Sequence, residues 1–314
     1  MITNPFQYSN KPQFFSFFRS LKNSKIQKSH ENTYVRIFSE DICLGIMPIG
    51  GRSRSHPDFL IDIIGDKEDI EKAKNLLTSL ASRRSSSTNE LVCDVVENVV
   101  KNLTFNGVAY YEITQETAEL FKLNNFTSKR LLNIFGLYFQ FVPKIDRKFF
   151  KKSFVFKASK CVWKINIPDI LGGTLGYRNL IFSLSKNSDI YPKCYDIEKI
   201  STQAEDFNFN EYVRQTKSYQ YKLLELWGGT LRATSMEYFN EYYLVHRIVK
   251  FNRARTILRE HVITELNNLI KRLEINAAID VVGLPTVEFI DDQLKKLSEG
   301  ELELSEAINI TNAS

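Results

Sequence analysis

The chain has 314 residues, 43% of them hydrophobic, with 42 Lys and Arg against 37 Asp and Glu and a net charge of +5. That composition excludes a disordered or low-complexity chain and describes a globular protein, in two domains or one large one, that buries a core. The mild basic excess permits contact with nucleic acid or an acidic partner without requiring either.

No apolar run approaches the ~18 residues that read as a bilayer span. The start, Met1-Ile2-Thr3-Asn4-Pro5, lacks the basic-then-apolar pattern of a secretion signal. Neither ordinary export nor membrane insertion is expected. Cys43, Cys93, Cys161 and Cys194 lie far apart with no C-x-x-C pair, which predicts reduced thiols, no structural zinc and no metal site.

In chain order, residues 11 to 22 hold Phe14, Phe15, Phe17, Phe18 and Leu21 in a short basic segment that reads as an amphipathic helix docking on a neighbour. Tyr34 to Phe38 and Ile42 to Ile49 read as a hairpin around Ser39-Glu40-Asp41. Gly50-Gly51-Arg52-Ser53-Arg54-Ser55-His56 is a flexible basic loop in which Arg52 and Arg54 are candidate phosphate contacts, although it is no P-loop.

Phe59 to Ile64 predicts a strand, and Asp66 to about Leu80 a helix with an acidic first turn. Ser87 and Glu90 have capping-box spacing ahead of a second helix whose wide apolar face runs from Leu91 to Leu103. Asn106-Gly107 turns the chain into a strand at 108–113. Three more strands are predicted at Leu137 to Val142, Phe154 to Lys157 and Cys161 to Ile167, paired antiparallel. Between the first two, Lys144, Arg147, Lys148, Lys151 and Lys152 crowd a connection with Phe149 and Phe150, either a charged hairpin tip or a phosphate-contacting loop. Leu171-Gly172-Gly173 introduces a helix ending near Lys186; a further helix at 212–227 stops at Gly228-Gly229, a domain junction.

From Thr234 to Leu273 about forty residues run without Pro or Gly, with apolar side chains at helical spacing, and Thr234 and Glu237 form a capping box at the start. At 1.5 Å per residue the helix reaches roughly 60 Å, long enough to lean on something beyond its own domain. Its middle carries Arg247, Lys250, Arg253, Arg255 and Arg259. The 100° step scatters these charges around the helix, leaving a solvated surface and an anionic or nucleic-acid contact both open. A short helix from Val287 to Leu297 follows Pro285 and stops near Gly300.

No catalytic constellation appears: no G-x-S-x-G elbow, no H-E-x-x-H and no kinase set. Gly172, Gly173 and Gly176 do not form a dinucleotide fingerprint. A non-enzymatic protein without cofactor is expected, with an enzyme whose site is assembled from scattered residues left open.

The helix running into Asn106-Gly107-Val108-Ala109-Tyr110-Tyr111-Glu112-Ile113 resembles the helix and G-N-A-Y-x-E-like strand of tailed-bacteriophage portal proteins. Phe141-Val142-Pro143 resembles the portal segment where a strand ends at a proline, Leu171 to Ser185 its glycine-introduced helix, and Arg247 to Leu273 the long helix lining a portal stem. The resemblance touches residues 88–186 and 235–297. It implies a ring-forming connector at a capsid vertex, a homo-oligomer through which DNA passes and on which capsid and terminase proteins dock, in the virion or host cytoplasm.

The fold expected is α+β: a mixed, β-rich central region packed by helices, then one long helix and a short C-terminal helix. The boundaries are an N-terminal arm at 1–32, a core at 33–186, a connecting region at 187–233 and a long-helix region with tail at 234–314. The alternative function is a soluble nucleic-acid-binding or regulatory protein of a mobile element, using the basic loops and the long helix.

Overall fold

A computed structural model describes residues 4–16, 25–47, 59–117, 119–193, 220–229 and 241–307, with backbone only at 187–193. The elements in chain order are α1 (Lys25–Ser29), α2 (Thr33–Cys43), β1 (Leu60–Gly65), α3 (Lys67–Thr78), α4 (Thr88–Asn106), β2 (Val108–Gln115), β3 (Phe121–Asn125), β4 (Leu131–Ile134) and β5 (Leu137–Phe141). They continue with α5 (Arg147–Phe150), β6 (Phe154–Ala158), β7 (Val162–Asn166), α6 (Gly173–Lys193), α7 (Glu241–Arg272), β8 (Ala277–Val282) and α8 (Val287–Glu299). The fold is α+β, with several small sheets, one long helix and a short C-terminal helix.

Two compact units divide the chain: residues 1–24, 50–166 and 261–283 form the first, and 25–49, 167–260 and 284–314 the second. Neither is one contiguous stretch of sequence. Within α7, residues through Glu260 fall in the second unit and those from His261 in the first.

The first unit is built on three antiparallel sheets, ordered β3-β2-β7, β4-β5-β6 and β1-β8. Ser87 caps α4, its side chain accepting from the Glu90 amide, while the Glu90 carboxylate accepts from the Ser86 amide and hydroxyl, one residue upstream of a standard capping box. The helix ends on Gly107 at φ 71°, a left-handed turn that glycine takes without steric cost, and the chain reverses into β2. Val92, Val95, Val96, Val99 and Val100 are wholly buried. The three strands expected between 137 and 167 exist, but not as one meander. β5 pairs with β6, whereas β7 joins β2 in another sheet.

Residues 11–16 are not helical. The amphipathic helix expected there is absent over this span: Phe14 lies in the core stacked on Phe126, ring centroids 4.4 Å apart. The rest of that expectation, residues 17–22, lies outside the described residues. Backbone amides at Gln13 and Phe14 need partners once buried, and the Glu112 carboxylate on β2 accepts both, at 2.7 and 2.8 Å.

In the second unit the first strand of the hairpin expected at 34–49 lies instead within the helix α2, which runs on to Cys43; residues 44–47 are turn and bend, and 48–49 lie outside the described residues. Asn32 caps the helix, accepting from the Tyr34 and Val35 amides, and Val35, Phe38 and Ile42 all face inward. Their spacing of three and four residues outweighs the strand-favouring composition of Tyr34 to Phe38. Phe38 and Tyr177 close on the buried Trp227, at centroid distances of 5.7 and 5.4 Å. Val245 and Val249 of α7 pack with Ile290 and Leu297 of α8. The capping box Thr234/Glu237, with Met236 and Phe239, lies outside the described residues.

Candidate functional site

Every residue of α7 from Leu244 to Ile263 is buried or half-buried. A helix so largely covered leaves little solvent face on which to spread charge. The arginines therefore need partners inside the second unit.

Arg247, 8% exposed, lays its guanidinium over the Tyr221 ring at 4.1 Å, and its Nε donates to the Gly228 carbonyl at 3.0 Å. A methyl group built on Gly229 would fall 1.8 Å from its Nη2, so Gly229 makes room for the guanidinium. Gly228-Gly229, read from sequence as a junction, is this arginine's seat.

Arg253 forks onto Asp291 of α8; Nε meets one carboxylate oxygen, and Nη2 the other at 3.1 Å. Arg255 donates from Nη1 to Asn252 Oδ1 at 3.0 Å and packs against Gly45. Burial, with Arg259 second, lowers its pKa to about 10, against the opposing pull of Asp41 and Cys43. Arg259, 3% exposed, donates to the Pro285 carbonyl, and burial again brings its pKa to about 10. Beside it the Glu260 carboxylate accepts from the Val287 amide at 3.0 Å, placing negative charge at the first turn of α8. Lys250 is half-buried.

The charges of α7 thus wire the helix to α8, to the Gly228 turn and to Gly45. In a double-mutant cycle at low salt, Arg253→Ala and Asp291→Ala are expected to couple by about 0.5–1 kcal/mol, since both side chains keep some exposure. The coupling should shrink in about 1 M salt. A zero coupling energy in chemical denaturation would remove the pair as a link between the helices.

The second predicted group behaves differently. Lys148, Lys151 and Lys152 are exposed, as are Lys144 and Arg147, around the short helix α5. Lys152 Nζ donates to Gln13 Oε1 at 2.6 Å. The only carboxylate of this connection, Asp146, is 3% exposed, so the exposed charge there is all positive, interleaved with the exposed Ile145 and Phe149. Arg52 and Arg54 lie outside the described residues. The structure thus brings the lysines together in the first unit and turns Arg247, Arg253, Arg255 and Arg259 to work within the second.

Sequence reasoning missed Glu112 and Lys157. Lys157, 1% exposed on β6, donates to the Gln7 carbonyl at 3.0 Å, and the amide of Gln140 bonds in both directions with Phe15. The three side chains bind residues 4–16 to the sheets. An alternating strand pattern broken by an inward-pointing Glu or Lys was the signal that could have found them.

Among the described residues, no group of three or more His, Cys, Asp or Glu is placed to hold a metal ion, and no helix is long and apolar enough to cross a membrane. No family model, curated protein or solved structure matches the chain.

Proposed function

We propose that the chain is a ring-forming structural connector of a phage capsid vertex, giving DNA a passage and the packaging motor a docking surface. The resemblance across 88–186 and 235–297 motivates the reading. The segments that carry it are α4 with its glycine turn into β2, β5 ending two residues before Pro143, the helix α6 opening at Gly173, and α7.

The observation that carries the choice over a DNA-gripping protein is the inward engagement of Arg247, Arg253, Arg255 and Arg259. A passage must not hold the phosphates it conducts, because each neutralised phosphate adds affinity. A helix that commits its arginines to its own unit fits conduction. Partners on this reading are further copies of the chain, DNA, and capsid and terminase proteins, in the virion or host cytoplasm.

A second reading, a nucleic-acid-binding protein of a mobile element, has one observation in its favour, the exposed lysines of 144–152. Size-exclusion chromatography with light scattering, at two protein concentrations, separates the two. The connector should give a fixed multiple of the 36.5 kDa chain mass at both concentrations, with duplex-DNA affinity unaffected by Arg253→Ala. A monomer whose steeply salt-dependent DNA affinity falls with Lys148→Ala and Lys151→Ala would sink the connector and support the binder.

A further inference from the structure

Strands β4, β5 and β6 turn Leu131, Tyr138, Gln140 and Val155 inward, where Tyr138 and Val155 join the core of Phe14, Phe126 and Val162. Alternation sends their neighbours to the opposite face. The register sets Leu132 against Phe139, Phe139 against Phe156, and Phe141 against Phe154, with Ile134 at the strand end. Every outward position is apolar. Leu132 is 50% exposed, Ile134 46%, Phe141 41% and Phe154 51%, and the Phe139 and Phe156 rings stack at 5.7 Å. A contiguous apolar face of this kind on a soluble protein marks an interaction surface. Its rim, at the end carrying Phe141 and Phe154, is the exposed lysine set 144, 148 and 151, Lys152 being turned to Gln13.

The same unit carries a surface with the opposite charge. In the β1-β8 ribbon Ile61, Ile63 and Ile279 face in, and Leu60, Ile64 and Val282 face out at 60%, 57% and 57% exposure. Between them Asp62 stands directly opposite Asp280. Two like charges at facing positions of an antiparallel pair are destabilising, and an incoming ammonium group offsets that repulsion.

We infer that the outer face of β4-β5-β6 docks on the β1-β8 ribbon of a second copy of this chain, apolar against apolar, with the lysine rim meeting Asp62 and Asp280. The charge complementarity selects this occupant: an apolar face rimmed by cations needs an apolar partner with anions, and each copy presents one. Leu132 and Ile134 argue against a nucleic-acid strand, since aliphatic side chains offer bases no ring to stack on. The two faces differ, so the contact is heterologous and propagates from copy to copy. It stands whether the chain of copies closes into a ring or stays open.

Two variants test it by mass in light scattering, one with Phe141→Glu and Phe154→Glu, the other with Asp62→Lys and Asp280→Lys. The unaltered chain should assemble beyond its 36.5 kDa mass. Each variant alone should be monomeric, and an equal mixture should give a discrete two-chain species, because one intact sheet face and one intact ribbon remain between them. Leu132→Lys and Leu60→Lys serve as replacements if circular dichroism shows that either variant has not folded. A monomeric unaltered chain, a variant that still assembles alone, or a mixture that stays monomeric overturns the inference. So does a monomer that binds a fluorescent oligo-dT strand through Phe141 and Phe154. A ladder of open oligomers from the unaltered chain keeps this interface and defeats the closed ring.

Discussion

Gly228→Ala is expected to destabilise the second unit by about 3–5 kcal/mol, the sum of a left-handed backbone forced on alanine and an overpacked contact. Gly228 sits at φ 73°, and a methyl group there would lie 2.4 Å from the Phe251 amide nitrogen and 2.6 Å from the Arg247 carbonyl oxygen. Both atoms belong to the backbone of α7, which cannot swing aside as a flexible side chain would. The displacement would also pull the Gly228 carbonyl from Arg247 Nε, leaving a buried guanidinium short of an acceptor. Gly300→Ala supplies the control. Its φ is 76°, but nothing lies within 4 Å of the added methyl group, so only the backbone term of roughly 1–2 kcal/mol applies. Urea denaturation followed by tryptophan fluorescence, in a Trp163→Phe background that leaves Trp227 as the emitting residue, reads both variants. Equal losses would show that the close approach to α7 does not matter.

Glu112→Ala should cost about 2–5 kcal/mol, because it leaves the buried amides of Gln13 and Phe14 without their acceptor. The loss should also free the segment around them, so chymotrypsin should cleave after Tyr8 and Phe14 much faster than in the unaltered protein. Glu112→Gln separates charge from hydrogen bonding. Burial raises the Glu112 pKa above its ordinary 4.5, although the Phe14 and Gln13 amides, Lys157 and Lys152 all pull it down. The folded state therefore keeps this proton to higher pH than the unfolded state does. The group's contribution is fully present below the unfolded pKa and is lost as pH rises through the folded one. Glu112→Gln should remove that decline, so its melting temperature should gain on the unaltered protein as pH rises from about 4. A difference that is flat, or that runs the other way, would refute the account of the carboxylate.

What could be read along the chain was what neighbours in sequence decide. Ser87, Glu90 and Gly107 mark both ends of α4 because caps involve residues three or four apart. Gly300 does the same for the C-terminal end of α8, whereas its cap Thr286, one residue past the Pro285 read as the helix start, came only with the structure. The strands at 137–141, 154–158 and 162–166 were legible as runs of aromatic and branched residues. Their partners were not. β8 was passed over because Ala277 to Val282, with Asp280 inside, has no strong pattern of its own, and β1 pairs with it from the other end of the sequence. β3, with Lys122, Asn124 and Asn125 among its five residues, and β4, only four residues long, escape the same test.

The sequence by itself determined that α7 is a long helix and that its middle is strongly basic, since periodicity and composition are local properties. Only the tertiary structure decided where those charges go. α8, the Gly228 turn and Gly45 enclose the helix, and a guanidinium taken from water must find carbonyls, carboxylates or an aromatic ring in whatever surrounds it. The apolar outer face of β4-β5-β6 follows the same division: strand alternation specifies two faces, and burial of one against Phe14 and Phe126 leaves the other to water.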